Sequence, residues 1–375
     1  MTRLAAVIPS AGLSSRMGSF KPLLPLGSGT VLSRCIEVFR QNGVARIIVV
    51  TGKRAEEVAS AARRAGAVAV HNADYEQGMF SSVLTGIRAL DPTISGFFLL
   101  PVDIPLVRVE TVTRLIQAFS ESDASVFYPR FQGQRGHPPL ISSSLIPHIL
   151  THDGQGGLRA LLDTFESGAH DLVVTDAGSL RDLDHPADYE FAMKRVGQEY
   201  PFAEEWEQLW DVYGVSQDIR EHCAAVARVA KILCLRFNET CTPHALLNPA
   251  LATGAAMVHD IGKGRKHHDA VGAWRLLEHG FTDAAQIVRE HSDLSLGERD
   301  NMTEKEIVFL ADKLVQGSSP VRLNARYEAK LMLFGDRPEA RKAIRARQER
   351  ANAVRARLER VIGVDVETLA FEGGG

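Results

Sequence analysis

Cysteine is scarce. There are four in 375 residues (Cys35, Cys223, Cys234 and Cys241), with no Cys-x-x-Cys pair. That excludes a dense disulfide framework and points to a reducing cytoplasm. Net charge is also small, −3 from 43 Lys and Arg against 46 Asp and Glu. Such a balance argues against a broad nucleic-acid or membrane surface, so neither partner is expected. No apolar run is long enough to span a bilayer, and the start of the chain reads as a strand rather than a signal peptide. Internal repeats and low-complexity tracts are absent, apart from the glycines at 373–375. The two commonest phosphate-loop patterns, Gly-x-x-x-x-Gly-Lys-Ser/Thr and Gly-x-Gly-x-x-Gly, are missing from the one loop that invites them. What is present is ordinary for a globular protein: 45% hydrophobic and 24% charged residues. The length exceeds what one core usually holds, so two domains are expected.

The texture of the chain changes near residue 200. Before it, apolar runs at 4–8, 45–51, 67–71, 96–101 and 124–128 alternate with helical patterns at 30–41, 54–65, 81–90 and 109–120. This rhythm predicts an α/β domain with a mostly parallel sheet and helices on both faces. From about Phe202 onward apolar residues recur at three- and four-residue spacing, which predicts an all-helical second domain. The boundary is placed between 1–196 and 197–375, in a short Gly- and Pro-containing junction. The Arg-, Ala- and Glu-rich segment 338–361 reads as a solvated amphipathic helix.

Residues 9–21, Pro-Ser-Ala-Gly-Leu-Ser-Ser-Arg-Met-Gly-Ser-Phe-Lys, follow the first apolar run. Gly12 and Gly18 allow a tight turn and close approach of backbone to ligand. Ser14 and Ser15 add hydroxyls, and Arg16 and Lys21 add positive charge. A strand feeding such a loop is how an α/β sheet holds nucleotide phosphates. A triphosphate calls for a divalent cation, and the cation for carboxylates. Asp103 stands just past an apolar strand, where open α/β sheets bind ligands. By itself it reads equally as a turn residue between two prolines; beside the Gly12 loop the ligand reading prevails. Asp182 and Asp184 alternate around Leu183, so an extended segment places both carboxylates on one face. The competing reading is a cap, with Asp184 or His185 leading into a helix opened by Pro186.

The loop resembles the Gly-x-Ser-x-Arg-Met-Gly…Lys signature of MobA-like nucleotidyltransferases. Asp103 and the run Asp182 to Asp188 resemble that family's Asp after the central strand and its Asp/Asn-x-Asp/Asn-x-Pro-Glu/Ala-Asp element. Gln77-Gly-Met-Phe-Ser-Ser-Val-Leu, Gly136-His-Pro-Pro-Leu and Asp153-Gly-Gln-Gly-Gly-Leu-Arg resemble segments of the molybdopterin cytidylyltransferase branch. Ala11 falls on the cytidylyl side, whereas Ser10 departs from both the cytidylyl and guanylyl patterns. The resemblance covers the first half. It implies a GT-A-type, Rossmann-like fold and Mg²⁺-dependent transfer of a nucleotidyl group, with CTP as the preferred NTP and molybdopterin as the acceptor. A molybdoenzyme becomes a possible partner. Nucleotide contacts are then expected at Ala11, Gly12, Ser14, Arg16, Gly18, Lys21, Gly78, Ser81 and Asp103. Metal ligation is expected at Asp103 and Asp184, with Asp182 beside them, and charge neutralisation from Arg16 and Lys21.

In the second half the strongest signal is Val258-His-Asp-Ile-Gly-Lys-Gly264. Adjacent His259 and Asp260 at the end of an apolar helix demand partners, and Gly262 can end that helix and free them into a cavity. His222, His291 and Asp312 also sit on apolar helix faces, and His268 leads into one. One such histidine is usually a satisfied core residue, but several together with an isolated Asp are better explained by a metal centre. The order His222…His259-Asp260…Asp312 resembles the HD-domain phosphohydrolases. The likeness runs from about residue 202 to 361. It implies a divalent ion (Mn, Fe, Co, Zn or Mg) on those four residues, His268 and His291 as ligands of a second, and Lys263 facing substrate phosphate. A bifunctional enzyme is the leading expectation. A transferase for a sugar or polyol phosphate with a regulatory HD domain, or a non-catalytic cofactor carrier, are the alternatives.

Overall fold

A computed structural model describes residues 3–12, 17–242, 245–294, 301–334 and 336–372. The chain divides into two compact units, Met1–Gln198 and Glu199–Gly375. No helix among the described residues is long and apolar enough to cross a membrane.

Among the described residues the first unit contains ten strands: β1 (Leu4–Ser10), β2 (Pro25–Leu26), β3 (Gly29–Thr30), β4 (Arg46–Thr51), β5 (Val68–His71), β6 (Gly96–Leu99), β7 (Val126–Phe131), β8 (Gln134–Arg135), β9 (Leu140–Ser142) and β10 (Ala169–Val173). Eight form one sheet in the order β10-β7-β9-β6-β1-β4-β5, with β8 beside β7; β2 and β3 make a small ribbon. The pairs β1–β4, β1–β6, β4–β5 and β7–β10 are parallel, whereas β9 runs antiparallel between β6 and β7. Every residue of β1 is buried, as expected of a central strand covered on both faces. Its alternation divides the core. Ala6 and Ile8 join Leu32, Phe39 and Phe98 on one face, and Ala5 and Val7 join Val83, Phe97 and Ile141 on the other.

Four helices of this unit, Val31–Gln41, Ala55–Arg64, Met79–Arg88 and Val109–Glu121, fall where the apolar periodicity places them, and Pro186 opens a fifth, Pro186–Arg195; the short helices Ile146–Thr151 and Gly157–Asp163 lie outside the expected segments. The first is opened by Thr30, whose Oγ1 accepts from Ser33 N at 3.2 Å while Ser33 Oγ accepts from Thr30 N at 2.7 Å. Helix Met79–Arg88 lies so close to the sheet that a Cβ on Gly86 would stand 2.3 Å from Val7 Cγ1. Strands β9 and β10 were not expected. The first has three residues, too few to show a period, and β10 is a half-buried edge strand that carries His and Asp.

The second unit is helical: Ala203–Val212, Gln217–Thr240, Pro249–Val258, His268–Leu277, Thr282–Val288, Glu304–Lys313, Leu323–Phe334, Pro338–Ile362 and Val366–Glu372. Buried apolar residues from all of them form one core. The Arg-rich helix Pro338–Ile362 buries Ile344, Ala351, Val354, Leu358 and Ile362, a stripe with three- and four-residue steps that leaves the charges outward. Among the described residues the one departure from helix is a hairpin of β11 (Val315–Gln316) and β12 (Ser319–Pro320). Gly317 turns it with φ +59°, a backbone region that favours glycine. Arms of two residues are too short to appear as a strand pattern.

Candidate functional sites

In the first unit, the parallel strands β1, β4, β5 and β6 deliver their C-terminal ends to one edge of the sheet. A cavity of ≈ 310 Å³ opens there, lined among others by Ala11, Gly12, Lys21, Gly78, Ser82 and Asp103. At its mouth Lys21 Nζ lies 2.9 Å from Asp184 Oδ1 and 4.0 Å from Asp103 Oδ2. One backbone bond explains how a segment eighty residues away in sequence arrives here: Leu183 N donates to Asp103 O at 2.8 Å. Leu183 is buried, Asp182 is exposed and Asp184 is half-buried, so the alternation read from the sequence is present. The cap reading holds as well: His185 is the N-cap of the helix Pro186–Arg195, and Asp188 in its first turn completes the cap, its Oδ2 accepting from Asp184 N at 3.1 Å and His185 N at 2.7 Å. Burial pushes the Asp103 pKa up, and the Asp182 and Asp184 charges add to this against the opposing pull of Lys21.

Of the other expected nucleotide contacts, Ser14 and Arg16 lie outside the described residues. Gly18 has φ +65° and does not line the cavity. Neither does Ser81. Its Oγ donates to Asp74 O and Gly78 O, each at 2.9 Å, and accepts from Asn72 Nδ2 at 2.9 Å. The hydroxyl is thus spent on the turn that presents Gly78, and Ser82 takes the lining position. Asn72, buried at the end of β5, was not singled out from sequence. It donates to both Ser81 and Ser82 and bonds its own N–H to Thr51 O. Its position at a strand C-terminus was the available signal.

In the second unit six ligand-type side chains converge. Asp260 Oδ1 lies 3.5 Å from His291 Nε2 and 3.6 Å from His268 Nε2, and Asp260 Oδ2 lies 3.8 Å from His259 Nε2 and 3.9 Å from His222 Nε2. Asp312 Oδ1 stands 3.2 Å from His222 Nε2 and 3.8 Å from His259 Nε2. Two sets, His222/His259/Asp312 and His259/Asp260/His291, have ligand atoms mutually within 4.8 Å. The backbone orients the imidazoles. Nδ1 donates to Gly317 O in His222 (2.8 Å), to Ala256 O in His259 (2.7 Å) and to Val288 O in His291 (2.6 Å). A carbonyl can only accept, so each Nδ1 carries hydrogen and each Nε2 faces the centre. His259 follows the helix Pro249–Val258 as its cap, is fully buried, and its Nε2 has no hydrogen-bond partner.

A model of the MobA-like NTP transferase domain matches residues 6–171, and a model of the HD domain matches residues 219–316. The molybdenum cofactor cytidylyltransferase of Escherichia coli K12 is 29% identical over 196 residues, 52% of this chain and 98% of that protein. The nicotine blue oxidoreductase of Paenarthrobacter nicotinovorans is 31% identical over 167 residues, 42% of this chain and 81% of that protein. A solved nucleotidyl transferase from Methanothermobacter thermautotroptrophicus is 26% identical, covering 52% of this chain and 97% of that one, with a TM-score of 0.45. The chain belongs to the MobA-like NTP transferase family and carries a separate HD domain. The family includes relatives named for different reactions, so its chemistry here must be argued from the site.

The electrostatics of the HD centre suit cation binding. Burial lowers the His259 pKa to about 4, keeping the ring neutral. Burial opposes ionisation of Asp312, yet Lys313, His222 and Arg326 hold its carboxyl well below the usual range. Asp260 is likewise held low, with His259, His291 and Lys263 overcoming burial. Burial lowers His222, but its contact with Asp312 outweighs this and raises it. Lys263, expected to face substrate, donates to Asp260 Oδ2 at 2.7 Å. Sequence reasoning missed Lys313, which donates to Asp312 Oδ2 at 2.6 Å and His291 O at 2.9 Å. It missed Ser292 as well, whose Oγ bridges His268 Nε2 (3.2 Å) and His291 Nε2 (3.3 Å). Both follow directly after an expected ligand, which is the only linear signal they carry.

Proposed function

We propose that the MobA-like unit transfers the CMP moiety of CTP to molybdopterin with release of pyrophosphate, and that the HD unit hydrolyses a phosphoester. The near end-to-end match to a molybdenum cofactor cytidylyltransferase supports the base and the acceptor.

The observation that carries the transfer is the placement of Lys21 Nζ between Asp184 and Asp103 at the mouth of the Gly12 cavity. A cation already stands between two carboxylates, and this oxygen donor pair fits a hard ion such as Mg²⁺. When bound, Mg²⁺ supplies neutralisation of triphosphate charge. Asp103 and Asp184 hold and orient it, with Asp182 adding negative field. Gly12 leaves open space, since nothing lies within 4 Å of a Cβ built on it, and so admits phosphate against the backbone. Lys21 and Arg16 offset the charge of the phosphates. A phosphate oxygen of the acceptor bonds to the α-phosphorus of CTP, the bond from that phosphorus to the bridging oxygen breaks, and pyrophosphate leaves with the electron pair. Positioning and charge neutralisation supply most of the rate. Purified protein with Mg²⁺, CTP and molybdopterin should release pyrophosphate. Absence of release with every NTP, in protein shown to be folded, refutes the transfer.

The observation that carries hydrolysis is the buried, partnerless Nε2 of His259 among two carboxylates and three further imidazoles. A buried acceptor without a partner is costly, and a cation satisfies it. The mixed N/O donors suit Mn, Fe, Co, Zn or Mg. When bound, a divalent ion here supplies Lewis acidity toward a phosphoryl oxygen and lowers the pKa of water. The chain keeps its histidines oriented through backbone carbonyls and its carboxylates ionised. A water oxygen bonds to phosphorus, the ester P–O bond breaks, and the leaving oxygen takes a proton. Hydrolysis of p-nitrophenyl phosphate after loading with Mn²⁺, lost in His259→Ala, tests this half.

A further inference from the structure

The cavity above the histidine centre is larger and more cationic than one phosphoryl group requires. It encloses ≈ 630 Å³, a volume typical of sites for whole organic ligands. Five cations line it (Lys263, Lys313, Arg326, Lys330 and Arg347) against the three carboxylates of Asp218, Asp260 and Asp312. Three of the cations serve the metal-ligand carboxylates. Lys263 and Lys313 bond Asp260 and Asp312, and Arg326 Nη2 lies 3.6 Å from Asp312 Oδ1. Arg347 faces Asp293 at 3.5 Å.

Lys330 is different. Among the described residues no carboxylate pairs with it, and its Nζ stands 5.9 Å from the centroid of the Tyr327 ring. Burial and the charges of Arg326, Lys313 and Arg347 pull its pKa down to about 8. Gathering like charges at a half-buried position is unfavourable unless an anion joins them. Farther along the same helix, Phe334 lines the cavity while 48% exposed, an apolar ring that the fold leaves uncovered.

We propose that this cavity takes a ligand with two phosphoryl groups and an apolar organic part. One phosphoryl rests over His222, His259 and Asp312, the second is received by Lys330 with Arg326, and the organic part packs against Phe334. This deepens the phosphoester reading of the HD unit and rests on it.

The test is calorimetric titration of the full-length protein, with and without Mn²⁺, using three probes that cannot be hydrolysed: methylphosphonate, methylenediphosphonate and a benzyl-substituted methylenediphosphonate. Methylenediphosphonate should bind about tenfold tighter than methylphosphonate, the step expected of one further charge-assisted contact. The benzyl derivative should bind tighter again. In Lys330→Ala and Lys330→Glu, with fold checked by circular dichroism, the diphosphonate-to-monophosphonate affinity ratio should fall about tenfold by the same reasoning. The Lys330-dependent part of the binding separates this cavity from any pyrophosphate site of the transferase unit. A wild-type ratio near one, or a ratio unmoved in both variants, overturns the proposal. A benzyl derivative that binds no tighter than its parent overturns the organic half. Failure of the underlying phosphoester reading shows differently: wild-type protein with Mn²⁺ then hydrolyses neither p-nitrophenyl phosphate nor ADP, whatever the binding ratio.

Discussion

The two centres are built by opposite means. In the HD unit the ligating side chains come from helix ends and the turns beside them; His259, Asp260 and His291 are each no more than 3% exposed. Three imidazoles are held by backbone carbonyls before any ion arrives. In the transferase unit the carboxylates sit on loops, with the Asp103 and Asp184 side chains 28% and 32% exposed. The backbone bond from Leu183 and the charge of Lys21 help to assemble them. The first kind of centre is preset by burial and by backbone hydrogen bonds to its imidazoles. The second is open: the buried Leu183 anchors its segment, and the charge of Lys21 holds the two carboxylates beside it. The difference suits the tasks proposed: a small ion and water in one, a large triphosphate that must enter and leave in the other.

Single substitutions can break this contrast. The largest effect expected is Asp103→Ala, which should reduce pyrophosphate release roughly 1,000-fold, as loss of a group that stabilises transition-state charge does. Hydrolysis of p-nitrophenyl phosphate by the same protein should persist. If both activities fall together, the two centres are not independent. Lys21→Met should reduce kcat for transfer about 100-fold. Because it removes the cation beside Asp184 and Asp103, its effect on activity should be partly recovered by raised Mg²⁺; no recovery at raised Mg²⁺ would contradict the charge-assembly account.

Stability sharpens the comparison from the other side. In metal-free protein the His259 pKa lies near 4 against 6.5 for an ordinary histidine. The folded state therefore binds fewer protons than the unfolded state between these values. The contribution is fully present above pH 6.5 and is lost as pH falls toward about 4. His222 is raised, so its contribution runs the other way, present below 6.5 and lost as pH rises above its folded value. In His259→Gln, the loss of stability on acidification from pH 7 to about 4.5 should shrink by on the order of 2 kcal/mol, measured by urea unfolding at both pH values. Adding Mn²⁺ at about 100 times its Kd should stabilise the HD unit by about 2.7 kcal/mol, and a chelator should reverse this. The smallest effect is Gly86→Ala. The new methyl meets Val7 and should destabilise the transferase unit by about 1–2 kcal/mol, with no change in metal binding by the HD unit.

Much of this was legible in the chain. Periodicity placed the central strands and the four flanking helices of the first unit, because buried strands and amphipathic helices carry strong repeating signals over several residues. The strands β9 and β10 and the hairpin at Gly317 were not legible. Arms of two or three residues carry no period, and their pairing depends on partners far along the chain. The histidine cluster was legible because adjacent His and Asp on apolar helix faces conflict with burial unless they serve a centre. Ser82 rather than Ser81 at the cavity wall was not, since neighbouring serines on one helix differ only in the direction they face.

Residue identity and order were sufficient to point to the two families and to the chemistry proposed: a glycine loop after a buried strand, an isolated Asp beyond another, and histidines where a core would reject them. Those features are local, and local sterics and solvation limit what they can be. Packing alone showed that Lys21 lies between Asp184 and Asp103, that Lys313 and Arg326 brace Asp312, and that Lys330 has no carboxylate partner among the described residues. Each of these joins side chains from separate elements, and only the closed core brings their charges within a few ångströms of one another.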